Sequence, residues 1–542
     1  MNIARCIKFI LLISVMFSGI TIAPGGYTFP TILSILEKPE TTRIAPHING
    51  ENVAILKVKD VIPRLEQLTD DLMRKTGVPG LAIAIVHKDE VVYLKGFGVR
   101  EAGKPELVDP DTIFQLASLS KPIASTIVAG VVGDKKVTWD DPIIKYLPDF
   151  RMGNPYVTSQ VTIRDMFSHR SGLPDHAGDD LEDLGFDRIT ILQRLRYLPI
   201  EGRFRSVYNY TNFGLTAGAE AVASSTGKPW ETLAQERLYR PLGMTRTSSR
   251  YIDFDRADNH ARGHVLIDGE WVAKYRRQPD AESPAGGVSS TVRDLAGWMR
   301  LQLGGGFFAG QQIIAPAALG ETHLPHMVSK SPQNPTTERA SFYGLGWGVN
   351  YTDNGQVELS HSGAFNLGVA TAVYLLPAQG LGIVVLTNAH PIGLPESIAL
   401  SFLDLARFGE VRRDYFELVN NVFVTEIDKP NYGRSDNYSK APANPSPALP
   451  VSAYVGTYSN DYFGDVEIVA RNGKLVLLSG QKQQSFKLQH YDRDLFTYQP
   501  AGENAFGKSA VTFIIGTDGK SAKVTIENLN IDGQGTFKRR RK

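Results

Sequence analysis

The chain has 542 residues, 42% of them apolar and 21% charged, which is the profile of a soluble globular protein too long for one average domain. A formal charge of +1 removes any overall electrostatic reason to bind nucleic acid or an anionic membrane. The sole cysteine, Cys6, lies in the leader, so a mature chain without that leader can form no disulfide, thiol nucleophile or cysteine-ligated metal site.

Arg5 and Lys8 precede an apolar run over residues 9–22, long enough for a signal-peptide core and short for a membrane span. A signal peptide at 1–23 and a periplasmic or secreted destination are expected, followed by a lead-in over 24–58 with little periodicity. Residues 61–76 read as an amphipathic helix. The run 81–86 and the alternating stretch 91–94 read as a hairpin turning at Lys88-Asp89-Glu90.

Ser118-Leu119-Ser120-Lys121 then places a hydroxyl and an amine three residues apart. Pro122 is tolerated only near the start of a helix, so a helix over 123–132, ended by Gly133, should begin close to Ser118. On its first turn the two side chains share a face, about 5–6 Å apart at Cβ, and a neutral amine there can activate the hydroxyl as a nucleophile. The Ser118 N–H would be one of the unpaired donors of a helix start, suited to a developing oxyanion. The same four residues also describe an N-capping serine followed by a solvated lysine.

The middle region, about 120–340, is helical and rich in loops. Within it Tyr208-Asn209-Tyr210-Thr211-Asn212-Phe213-Gly214 offers a phenol and an amide two residues apart, able to share one cleft, although Tyr210 also reads as a half-buried loop aromatic. His260 and His264 are four apart, but Gly263 disfavours a helix and no H-E-x-x-H accompanies them, so neither a metal nor another cofactor is expected. Strands return at 357–360, 367–375 and 381–387. His361-Ser362-Gly363 follows the first, where the histidine could bond a substrate carboxylate or tune the tyrosine and Gly363 would admit the substrate backbone. A helix over 395–408 closes a domain spanning 59–410. A linker over 411–450 contains Ala441-Pro442-Ala443-Asn444-Pro445-Ser446-Pro447, and 451–542 reads as a β domain with Asn472-Gly473 and Asp518-Gly519 turns. The terminal run Lys538-Arg539-Arg540-Arg541-Lys542 reads as solvated.

Taken in order, S-x-x-K, Y-x-N and H-x-G resemble the serine hydrolases of the class C β-lactamase and penicillin-binding protein superfamily. Further matches are Trp139-Asp140-Asp141-Pro142, Ser168-His169-Arg170-Ser171-Gly172-Leu173-Pro174, Pro241-Leu242-Gly243-Met244 and Pro284-Ala285-Gly286-Gly287. The resemblance implies an α/β fold, with a β-lactamase-like antiparallel sheet flanked by helices, an all-helical subdomain and a cleft between them. A small C-terminal β-barrel or sandwich would follow. It implies Ser118 as nucleophile, Lys121 as its base, Tyr210 as the acid/base for the leaving group and Asn212 as the group orienting the substrate amide. His361 and Gly363 match the strand motif, and the Ala364 N–H would be the second oxyanion donor. Lactamases of this class carry a lysine where this chain has His361, which shifts the resemblance toward peptidases, such as those specific for D-amino acids or for linearised microcystin. The expectation is an exported serine hydrolase cleaving small peptides or amides with D- or unusual residues through a Ser118 acyl-enzyme. A carboxylesterase, a β-lactamase and a non-turnover penicillin-binding sensor are the other readings; oligomeric state is left open.

Overall fold

In the computed structural model, residues 58–200, 204–424 and 442–540, together with 438 and 440, are described. The expected signal peptide lies outside them, as does the lead-in except for Val58, which opens the first helix.

The strand Gly80–His87 is buried along nearly its whole length, and its side chains sort by the two-residue period. Leu81, Ile83 and Ile85 pack beneath the helices Val58–Thr76 and Leu394–Phe408. Ala82, Ala84 and Val86 face the other way, into the core shared with the helix Val292–Leu303. A strand covered on both faces needs apolar residues at every position, which is why the run 81–86 shows no alternation. Its hairpin partner is Glu90–Gly98, and Lys88 and Asp89 take φ of 50° and 65° in a two-residue turn that matches the twist of the strands.

The sheet has eight strands in the order Glu90–Gly98, Gly80–His87, Leu381–Thr387, Val369–Leu376, Val357–Phe365, Gly348–Tyr351, Ser341–Tyr343 and Met327–Lys330, all antiparallel. Pairing of Ile83 with Val385 brings the two ends of the hydrolase region together. Val357–Phe365 continues past the expected end at residue 360 and carries the H-S-G segment, whose small and polar residues hide the strand signal. Between the sheet halves, the chain builds a helical lobe that includes Ile163–Phe167, Arg188–Arg194 and Asn212–Thr226. Ser120–Gly133 is buried from Ser120 through Val131, apolar on nearly every side, as a helix enclosed by the rest of the fold must be.

Part of the expected linker is helical. Tyr415–Val422 forms a helix because Asp414 caps it, its carboxylate accepting the Glu417 N–H at 2.9 Å. The C-terminal region is a nine-stranded, nearly closed barrel-shaped sheet whose edge strands, Gln484–Lys487 and Gln489–Asp492, are separated in sequence only by Leu488. Tyr454, Tyr458, Phe513 and Phe537 fill its interior. No helix among the described residues is long and apolar enough to cross a membrane.

Candidate active site

Ser118 occupies a 3-10 turn, Ala117–Leu119, that runs directly into Ser120–Gly133. Ala117 is fully buried with φ of 49°, a left-handed conformation that costs an alanine roughly 1–3 kcal/mol and persists because the surrounding packing over-determines it. The turn presents Ser118 to a cleft of about 540 Å³.

Lys121 is wholly buried, and its Nζ is hydrogen-bonded to Ser118 Oγ at 2.9 Å. It also donates to Asn212 Oδ1 at 2.7 Å and to the Ala285 carbonyl at 3.0 Å. Burial lowers Lys121 to about 8, against the pull of Glu282 and Asp179 toward charge. A neutral amine has two N–H bonds, and Asn212 Oδ1 and Ala285 O can only accept. Both hydrogens are therefore taken, and the lone pair is left for the Ser118 hydroxyl. The Pro284-Ala285-Gly286-Gly287 motif thereby acquires a role, because its helical turn Ser283–Gly286 supplies the Ala285 carbonyl.

Tyr210 lies in the wall opposite, its ring centroid 4.5 Å from Lys121 Nζ. Burial drives its phenol well above 10, only partly offset by its hydrogen bond with Ser118. Tyr210 therefore rests as a phenol, able to donate a proton. His169 packs against its ring at 4.5 Å between centroids, and the Thr211 N–H donates to His169 Nδ1 at 3.1 Å, which fixes the loop between the two motifs.

Three sequence-derived roles change once the neighbours are in place. Asn212 does not offer a free amide to substrate: its Oδ1 takes the Lys121 bond, and its Nδ2 donates to Asp179 Oδ2 at 2.9 Å. Gly363 is required for a different close approach, because a Cβ there would lie 2.1 Å from the Leu116 carbonyl and 2.9 Å from the Leu119 nitrogen. The backbone pressing on the strand is the nucleophile's own turn. His361 is also occupied. Its Nδ1 meets the Ser362 carbonyl at 2.7 Å and must carry the proton, leaving Nε2 to accept from Tyr343 Oη at 2.8 Å. Burial and the nearby Lys121 lower it to about 3, so it is a neutral ring in the cleft wall and makes no bond to Tyr210.

Ala364 sits on the same strand, beyond the reach of Gly348–Tyr351, which pairs only from Val357 to Ser360. The strand edge next to Ser118 is thus uncovered by a neighbour, as an oxyanion donor at Ala364 requires. His260 and His264 do not converge. His264 Nε2 accepts the Ala102 N–H at 2.9 Å and its Nδ1 donates to the Asn388 carbonyl at 2.8 Å, while His260 Nδ1 donates to the Ala257 carbonyl. Among the described residues no group of three or more His, Cys, Asp and Glu is placed to hold a metal ion.

The sequence reading missed most of the ionisable lining. Asp179, Glu182, Arg277, Glu282, Tyr343 and Glu503 all border the cleft. His176 pairs through Nδ1 with Asp179 Oδ2 at 2.8 Å; desolvation opposes its charge, but the carboxylate wins and raises it to about 9. Only Glu282 carried a local signal, next to the Pro284 motif; the others meet only in three dimensions.

A family model described as Beta-lactamase matches residues 65–399, and one described as a domain of unknown function (DUF3471) matches residues 440–539. The chain is 25% identical over 458 residues to an unguisins hydrolase of Aspergillus violaceofuscus, covering 78% of this chain and 80% of that protein. It is 24% identical over 503 residues to another of Aspergillus campestris, covering 87% and 91%. Among solved structures, the octameric penicillin-binding protein homologue from Pyrococcus abyssi superposes with a TM-score of 0.56 at 20% identity, covering 88% of this chain and 99% of that one. A class C beta lactamase from Rhodobacter sphaeroides superposes with a TM-score of 0.52 at 19% identity, covering 62% and 97%.

Proposed function

The chain belongs to the Beta-lactamase family of serine hydrolases, and from that premise we propose that it is an exported peptidase or amidase acting on linear peptides with D- or unusual residues through a Ser118 acyl-enzyme. The observation that carries the reading is the bonding around Lys121: two pure acceptors take its hydrogens and Ser118 Oγ lies 2.9 Å from the remaining position. With Lys121 near 8, roughly a tenth of the molecules hold it neutral at pH 7.

In acylation, Lys121 takes the Ser118 proton as Oγ bonds to the substrate carbonyl carbon, and the N–H groups of Ser118 and Ala364 receive the oxyanion. Collapse of the tetrahedral adduct breaks the C–N bond while the Tyr210 phenol protonates the leaving nitrogen. The proton held by Lys121 then returns to Tyr210. Water attacks the ester with the same groups acting in reverse, and the acid product leaves.

A neutral, fully bonded His361 supports acyl donors without the carboxylate that a lysine would hold in a lactamase. Two relatives named as hydrolases of unguisins add support for hydrolysis of a similar class of compound by this chain. A fluorophosphonate probe should label Ser118 in the purified protein, and equal labelling of Ser118→Ala would sink the acyl-enzyme. Turnover of L- and D-residue peptides should exceed that of a chromogenic cephalosporin; rapid hydrolysis of a short ester with every peptide left intact would replace the peptidase with an esterase.

A further inference from the structure

One end of the cleft is built by the C-terminal barrel. The turn between its strands Leu495–Tyr498 and Ser509–Ile515 carries Glu503 and Asn504, which line the cleft alongside Ser118 and Tyr210. Asp183 of the helical lobe seats that turn, accepting the backbone N–H groups of Glu503 and Asn504 at 2.9 Å each and Asn504 Nδ2 at 3.1 Å. Gly502 permits the approach: its φ is 129°, and a Cβ there would stand 2.5 Å from Asp183 Cγ. Glu503 in turn accepts the N–H groups of Asn366 and Leu367, just beyond Ala364 on the site strand.

At this end three carboxylates surround one guanidinium. Arg277 donates to Glu182 at 2.5 Å and to Glu282 at 2.8 Å, and its Nε lies 3.8 Å from Glu503. Glu182 is 7% exposed, and its second oxygen, Oε1, is buried with no partner. Burial raises Glu282 and Glu503 to about 7 and lifts Glu182 well above the usual carboxylate range, in spite of Arg277. The other bordering cations are engaged elsewhere: Lys121 Nζ is bonded to Asn212 and to the Ala285 carbonyl, and His176 is paired with Asp179. Three buried carboxyl groups that share one guanidinium and leave an acceptor oxygen unused are matched by a cationic guest, which would favour their ionised form.

We propose that the barrel-completed end of the cleft is a subsite for a primary ammonium group of the substrate, with Glu503, Glu182 and Glu282 as its acceptors. Glu503 is thus a specificity-determining residue supplied by the C-terminal domain. The proposal rests on the hydrolase reading only in assigning that ammonium group to the acyl donor.

Calorimetric titration of the full-length Ser118→Ala protein separates binding from turnover. Phenylalaninamide should bind roughly tenfold or more tightly than N-acetylphenylalaninamide, about the worth of one charge-assisted hydrogen bond. Nα-acetyl-lysinamide tests the other source of the same group, and a preference for it over phenylalaninamide would place the ammonium on a side chain instead of the N-terminus. Glu503→Gln, which keeps one acceptor oxygen and so retains the Asn366 amide bond while giving up that of Leu367, and separately Glu182→Gln should each shrink the preference for the charged ligand. Equal binding of charged and neutral ligands to the protein without either glutamine substitution would overturn the proposal, as would a preference that survives both substitutions. Failure of probe labelling at Ser118 would remove the hydrolase reading and leave this binding preference standing, so the two failures are distinguishable.

Discussion

Gly363→Ala probes whether the nucleophile turn is held in place by the site strand. The added Cβ would lie 2.1 Å from the Leu116 carbonyl oxygen, 2.4 Å from Thr371 Oγ1 and 2.9 Å from the Leu119 nitrogen. Thr371 cannot simply rotate away, because its hydroxyl donates to that same Leu116 carbonyl at 2.8 Å. Non-bonded heavy atoms settle about 3.5–4.0 Å apart, so strand and turn must separate by on the order of 1 Å. Overpacking of this kind costs about 1–3 kcal/mol, and a misplacement of about 1 Å at a reacting group costs on the order of 10²-fold in rate. The expected result is a fall of about 10²-fold in kcat/KM on a short ester, with slower fluorophosphonate labelling, in a protein whose thermal midpoint drops by only a few degrees. Gly320→Ala serves as the control: it lies in the helix Pro316–Thr322, faces open space, and should keep full activity with equal or slightly greater stability. Wild-type kcat/KM in Gly363→Ala would refute the claim that strand and turn are in contact.

Because Lys121 must be neutral to accept the Ser118 proton, kcat/KM should rise with pH up to about 8 and fall roughly tenfold per unit below it; a flat profile between pH 6 and 8 would exclude Lys121 as the base. Asp165 is fully buried and accepts from Arg170 Nε at 2.7 Å and from Arg205 at 2.8 Å, so Asp165→Asn should cost about 3–5 kcal/mol in denaturant unfolding, and a loss below about 1 kcal/mol would show that the cluster is not structural. Tyr343→Phe leaves His361 Nε2 without its donor at a buried site and should destabilise by about 1–3 kcal/mol, whereas an unchanged midpoint would mean that water replaces the phenol.

What was legible in the sequence follows the range over which each interaction acts. Ser118 and Lys121 are one helical turn apart, so their meeting is a local matter that Pro122 and Gly133 already delimit. The apolar runs 81–86 and 381–387 were legible as strands, because a strand covered on both faces is apolar throughout, whereas their pairing with each other is seen only in the fold. Gly363 and Asn212 were found for the right motif with the wrong contacts. Motif spacing says that a residue stands at the site, but whether it faces substrate or the nucleophile's support depends on which backbone crosses it. The Leu116 turn at Gly363 and the Asp179 carboxylate at Asn212 both arrive from other elements.

The acidic end of the cleft had no such local trace. Glu182, Arg277 and Glu503 come from the helical lobe, a loop and the barrel, and none of their spacings is periodic. The clue lay instead in a cost. An arginine only 10% exposed needs carboxylates around it, and each buried carboxylate needs a donor, so the demand for partners propagates from Arg277 through Glu503 to the Asn366 and Leu367 amides. Charge satisfaction in the interior thus ties the C-terminal barrel to the strand that bears Ala364. A single buried network gives the barrel a place in the active site that neither domain's own sequence pattern displays.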